Sequence, residues 1–281
     1  MIPRYDDKKA AEAWQLLVHV CRRWRTLVLD SPRRLNLRLF CTPTNGTLDI
    51  WPTLPLIVRS YQTSEFPRTD SIITALGHSN RVCKVDLYVT RQMENVLAAM
   101  QVPFPELTDL AVGSSTYELP PVIPNSFLGG SAPRLRHFKL ANFEFPELPK
   151  LHLSAPHLVH LTISHTRHPW YISSKAMAAL LSPLSSLNTL SLEFEYLEPL
   201  RDRETLRPPP SKRSVIPTLT SFKFKGDIEY LENLVTFIDT PRLDSLLITV
   251  FDQIDVDTPQ LAEFINRTSV LKAPDEAHEF R

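Results

Sequence analysis

The chain has 281 residues, no net formal charge, 43% hydrophobic content, and 25 prolines against six glycines. That length buries a sizeable core, as one large domain or a small module plus a larger one. Balanced charge gives no global pull towards nucleic acid or anionic lipid, and scarce glycine argues against Rossmann folds and phosphate loops.

In chain order, the first predicted element is a helix over 8–30. Trp14, Leu17, Val18, Cys21, Trp24 and Val28 recur at spacings of three and four, which predicts one buried apolar stripe. Arg22, Arg23 and Arg25 fall largely off that stripe, so VCRRWR (20–25) reads as a solvated helix edge rather than a grip on phosphate. Asp30-Ser31-Pro32 ends the helix, because the residue before a proline avoids helical angles. LNLRLF (35–40) then alternates as a strand. Charge is uneven along the chain: residues 1–40 hold nine Lys/Arg against four Asp/Glu, and residues 226–281 hold four against twelve.

From residue 81 a phrase recurs: Pro, any, Leu, two residues, apolar, any, apolar. Its copies are PELTDLAV (105–112), PRLRHFKL (133–140), PHLVHLTI (156–163), PTLTSFKF (217–224) and PRLDSLLI (241–248). SSLNTLSL (185–192) lacks the Pro, and RVCKVDL (81–87) is a weaker copy. The leading apolar residues Val82, Leu107, Leu135, Leu158, Leu187, Leu219 and Leu243 are 23 to 32 residues apart. The last two apolar positions of each phrase are two apart and predict a short strand, with the Pro at its start, where no ladder donor is needed. Helical patterns lie between them: SIITAL (71–76), MENVLAAM (93–100), KAMAALL (175–181), YLENLVTFI (230–238) and QLAEFI (260–265). The phrase and its spacing resemble leucine-rich repeats. The expected fold is therefore α/β: a leucine-rich-repeat solenoid with a curved parallel sheet.

In that geometry the residues between the apolar ones line the concave face. They are Lys84, Asp86 and Tyr88; Asp109 and Ala111; His137 and Lys139; His160 and Thr162; Thr189, Ser191 and Glu193; Ser221, Lys223 and Lys225; Ser245, Leu247 and Thr249. This polar mix of both signs suits a protein partner better than a small apolar ligand.

Signals for chemistry are weak. His152, His157, His160, His165 and His168 fall within 17 residues, but most sit in predicted connections with no acidic residue beside them, so no metal site is expected. There is no GxSxG elbow, HExxH or Walker loop, and no catalytic or cofactor-binding residue is assigned. Glu193 and Glu195 read as a solvated strand end rather than a glycosidase pair. The basic, proline-rich stretch 201–214 reads as a solvated loop. Cys21, Cys41 and Cys83 form no CxxC pair, and no apolar leader or membrane-length apolar run is present. A soluble cytoplasmic or nuclear protein is expected, with neither nucleic acid nor membrane as partner.

The N-terminal pattern W-x-x-L-V-x-V-C-x-x-W-R followed by S-P-x-x-L-x-L resembles the second half of an F-box. It is carried by Trp14, Leu17, Val18, Val20, Cys21, Trp24, Arg25, Ser31, Pro32, Leu35 and Leu37. With LDIWPTLPLIV (48–58) and VIPNSFLGGSAPRLRHFKL (122–140), most of the chain is similar to the F-box and leucine-rich-repeat proteins abundant in mushroom-forming fungi. The resemblance implies a short helical, partial F-box over 1–34 and about seven or eight irregular repeats over 35–281. It also implies a substrate-recognition subunit of an SCF-type cullin–RING ubiquitin ligase that docks a Skp-type adaptor, with Trp14, Leu17, Val18, Cys21, Trp24, Arg25 and Pro32 as adaptor-facing or F-box core residues. The target, an unidentified protein, would lie on the concave face. The family pattern opens with a Leu-Pro helix, which MIPRYDDKKAAEA does not match, and the last residues fall inside a further repeat. A truncated gene model, a fragment, or a paralogue that has lost its adaptor dock is therefore the expectation. The alternative is a leucine-rich-repeat interaction module with no ubiquitin role.

Overall fold

The computed structural model describes residues 21–30, 38–41, 54–61, 69–89, 92–114, 120–144, 155–166, 172–195, 213–251 and 257–268. Helix α1 (Arg22–Asp30) stops directly before Ser31-Pro32. The strands that follow are β1 (Leu39–Cys41), β2 (Leu56–Tyr61), β3 (Val82–Val89), β4 (Asp109–Ser114), β5 (His137–Ala141), β6 (His160–Thr166), β7 (Thr189–Phe194), β9 (Ser221–Gly226) and β11 (Ser245–Val250). They form one nine-stranded parallel sheet in that order, each strand lying beside its predecessor in the sequence. Two short strands, β8 (Ser214–Val215) and β10 (Ile238–Asp239), pair with each other in a separate parallel ladder.

Every helical stretch predicted between the phrases is a helix: α2 (Asp70–Gly77), α3 (Met93–Ala99), α4 (Ser174–Leu181), α5 (Ile228–Phe237) and α6 (Pro259–Arg267). Their starts follow ordinary capping chemistry. The Ser173 side chain accepts from the Ala176 N–H at α4, and Asp227 accepts from the Glu229 N–H at α5. At α6, Thr258 makes no side-chain cap bond. Glu232 of α5 does that work instead, accepting from the N–H groups of Gln260 at 3.0 Å and Leu261 at 2.8 Å. A buried carboxylate on one helix thus satisfies two orphan donors of the next.

The recurring proline sits four residues ahead of the strand start. Six tight turns precede the strands, in which the N–H of the phrase leucine donates to the carbonyl three residues back. The pairs are Leu107 to Phe104, Leu135 to Ala132, Leu158 to Ala155, Leu187 to Leu184, Leu219 to Ile216 and Leu243 to Thr240, at 3.0 to 3.5 Å. Pro105, Pro133, Pro156, Pro217 and Pro241 occupy the second turn position, where a fixed φ near −65° is favourable and no N–H is needed. Ser185 takes that place in the sixth copy. The residues flanking each turn, such as Phe104 with Leu107 and Ile216 with Leu219, are buried, so every turn anchors its repeat in the core.

That core is continuous. Leu110, Val112, Leu140, Leu161, Ile163, Leu190, Leu192, Phe222 and Phe224 project from one side of the sheet onto the helices. Tyr230 ties the layers together: its O–H donates to the Ile172 carbonyl at 2.9 Å, and its ring stacks on Phe224 and meets Phe194 edge-on.

One expectation fails. The sheet is open, ending at β1 and β11, and it is not curled. Curvature needs a bulkier layer behind every strand, since a helix is about 10 Å wide and a strand spacing about 4.8 Å. Here the backing layer is uneven. α2, α3, α4 and α5 back some of the crossovers, but among the described residues between β4 and β5 the helical element is one 3-10 turn, Phe127–Gly130. The face opposite the helices is therefore an open face, not a concave one.

Candidate interaction face

Parallel register, with shifts only at Leu56/Ile57 and Ser164/Thr166 among the described strands, aligns the residues on this side of the sheet into three ladders, in which Phe40, Ile57, Ala141 and Ser164 are buried. The first runs Phe40, Ile57, Lys84, Asp109, His137, His160, Thr189, Ser221, Ser245. The second runs Arg59, Asp86, Ala111, Lys139, Thr162, Ser191, Lys223, Leu247. The third runs Tyr61, Tyr88, Gly113, Ala141, Ser164, Glu193, Lys225, Thr249. Every residue named above for the target-facing surface lies in one of these ladders.

Neighbouring strands pair their charges, within one ladder or, for Lys223 with Glu193, diagonally between two. Arg59 Nε lies 3.6 Å from Asp86, Lys84 Nζ 3.8 Å from Asp109, and Lys223 Nζ 2.7 Å from Glu193. Asp109 also meets His137 Nδ1 at 3.1 Å and accepts from the Thr108 hydroxyl at 2.7 Å. Glu193 accepts from the Ser191 hydroxyl at 3.3 Å. Such half-exposed pairs contribute little stability; they fix the orientation of side chains along the face.

Two ring arrangements shape the surface. His137 and His160 stack at 4.7 Å with planes 9° apart. Burial and the adjacent His137 hold the His160 imidazole below its ordinary value. Across the sheet, the Tyr88 ring lies over Gly113: a Cβ built there would meet Tyr88 Cδ2 at 2.6 Å. Glycine at that position is what lets the aromatic ring lie flat against the neighbouring strand.

The N-terminal residues fare differently. Trp14, Leu17, Val18 and Pro32, together with the Val28 side chain, lie outside the described residues. Cys21 and Trp24 were expected in a buried stripe, yet Cys21 is exposed and Trp24 is 50% exposed, with Leu27 at 60% beside it. Trp24 is the one residue of the expected stripe whose side chain is described within α1, since Cys21 precedes the helix. Arg25 is exposed, as its position off the stripe predicts. Of the histidine cluster, His157 is exposed in a turn and His160 joins the first ladder, while His152 and His168 lie outside the described residues. Among the described residues no group of three His, Cys, Asp or Glu could hold a metal ion.

Sequence reasoning missed Phe40, Ile57 and Arg59, which extend the ladders to β1 and β2. The Arg59 guanidinium lies 5.7 Å from the centre of the Phe40 ring. LPLIVRSY (54–61) is nearly continuous in apolar residues, so alternation gave no hint of which side faces out. No protein-family model matches the chain, and no curated protein matches it. Among the described residues no helix is long and apolar enough to cross a membrane.

Proposed function

We propose that this chain is a leucine-rich-repeat recognition subunit that holds a protein target on its open face and docks a Skp-type adaptor of an SCF-type cullin–RING ubiquitin ligase through its N-terminal segment. The observation that carries the reading is the strand order: nine parallel strands in chain order, entered through six copies of one tight turn. Among the described residues such stacking keeps helices α2 to α6 off one face of the sheet, and that face is lined with paired charges, hydroxyls and aromatic rings. A surface of this make-up recognises a macromolecule by position-specific polar contacts and makes or breaks no bonds itself. The exposed Trp24 and Leu27 of α1 supply apolar area of the kind an adaptor would cover.

The deciding experiment is co-purification with a Skp-type adaptor, using the chain as it stands and with a Leu-Pro helix joined ahead of Met1. Adaptor capture that is lost on Trp24→Ala supports the reading. No capture by either form would sink it. The second reading, an interaction module with no ubiquitin role, is favoured by the ladders lying wholly on the sheet, apart from α1. It predicts target binding without adaptor binding.

A further inference from the structure

The charges on the open face do not cancel evenly. Asp86, Asp109 and Glu193, the carboxylates of the three ladders, each lie within 4.0 Å of a cationic neighbour. Glu195, just past β7, is also engaged. Among the described residues, Lys139 and Lys225 differ: both are exposed, and neither has an ion-pair or hydrogen-bond partner. The uncompensated charge on this face is therefore positive and sits at two defined points. Between them lie the hydroxyls of Thr162 and Ser191 and the Lys223–Glu193 pair.

Register sets their separation. Lys139 shares a ladder with Lys223, three strands away, and Lys225 lies two residues further along β9. Three strand spacings and two residues of rise place the two Cα atoms roughly 16 Å apart. An extended peptide covers that distance in about five residues. We propose that the open face over β5–β9 docks an acidic, extended segment of a protein target, with two carboxylates about four to six residues apart reaching Lys139 and Lys225. A nucleic acid fits less well: two separated lysines and no aromatic platform between them lack the cation density that a phosphate backbone recruits. The inference rests on the open face as the target surface and is independent of adaptor docking.

The test uses the full chain and a fluorescent ten-residue Ser/Gly peptide carrying two glutamates four residues apart, read by polarisation at low ionic strength. The expected result is binding that weakens with added salt and exceeds that of the matched Gln peptide. It should fall roughly tenfold in the Lys139→Glu/Lys225→Glu variant, which should instead prefer the matched Lys peptide. Circular dichroism melting of that variant, with both changes on exposed side chains, checks that the fold is retained. Lys139→Gln/Lys225→Gln repeats the test without repulsion and should lose several-fold. Equal binding of the Glu and Gln peptides, or binding unchanged in both variants, would overturn the proposal. Tighter binding of an oligouridylate through the same lysines would overturn it in favour of RNA. Adaptor capture reads the other half of the proposed function, so a failure there leaves this result standing.

Discussion

On β7, Leu190, Leu192 and Phe194 are buried towards the helices, while Thr189, Ser191 and Glu193, interleaved with them, are half-exposed on the open face. The same division runs through β4 and β9. The buried face needs only volume and apolarity, and Leu, Val, Ile and Phe interchange along it. The open face needs particular groups at particular ladder positions, because a charge shifted by one strand loses its partner. Two kinds of information are thus written alternately into each strand: one specifies folding, the other specifies what the fold meets.

The division predicts unequal responses to substitution. Phe224 is fully buried and meets the rings of Phe194, Tyr230 and Phe222. Phe224→Ala should cost about 3–5 kcal/mol in urea unfolding, whereas Thr162→Ala on the open face should stay within about 0.5 kcal/mol. Comparable losses at both positions would erase the distinction.

The next effect concerns a polar group on the buried side. Glu232→Ala strips two N–H groups of α6 of their acceptor and should cost about 1–3 kcal/mol. Its effect should be local, with amide exchange accelerating at Gln260 and Leu261 before it does in β6 or β7. Uniform acceleration across the sheet would contradict that.

Thiol chemistry probes the same contrast. Burial pushes the Cys41 thiol up to about 11, against a smaller opposing pull from Arg81, and burial also raises Cys83. Cys21 is exposed. Labelling of the native chain with a disulfide reagent at neutral pH should modify one thiol at least about 100-fold faster than the other two. Cys21→Ser should abolish that fast phase.

The smallest effect is on pH dependence. His160 faces His137 and Lys139 from β5 and the uncharged Thr189 from β7, and its imidazole is held low by burial and then by His137. The unfolded chain therefore takes up this proton first as pH falls. Stability should decline as pH drops through about 6.5, and His160→Asn should flatten that decline. A steeper slope in the variant would show that the sign is wrong.

Much of the fold is legible in the residues because one phrase repeats. Each copy announces its strand by period-two leucines, and each helix by period-3.6 apolar residues, so element type and order follow. The strand start was placed at the proline, four residues early, because proline suits both a strand start and the second position of a turn; only the buried residue before it, such as Phe104 or Ile216, separates the two. Curvature was not legible, because it depends on how well each crossover is filled, which apolar periodicity within single elements does not report. The ladders were legible from β3 onward. Their pairing was not, since whether Lys223 meets Glu193 or Lys139 stands alone depends on inter-repeat lengths that vary from 23 to 32 residues.

The strict chain order of the sheet also governs how the molecule comes apart. From β3 to β11 each strand pairs with one that follows 23 to 32 residues later, and with nothing more distant on that side. Assembly can then begin at any well-packed neighbour pair and spread like a zipper, with no long loop to close first. The two edges differ as starting points for the reverse process. Leu39, Phe40 and Cys41 of β1 are buried, whereas Leu246 and Ile248 of β11 are only partly covered and Leu247 is 55% exposed. Fraying should thus begin at β11 and move inward one repeat at a time, with β11 amides exchanging before those of β6 and β7. Lys139 lies four strands in from that edge and Lys225 only one, so an unzipping event would release one end of a bound segment well before the other.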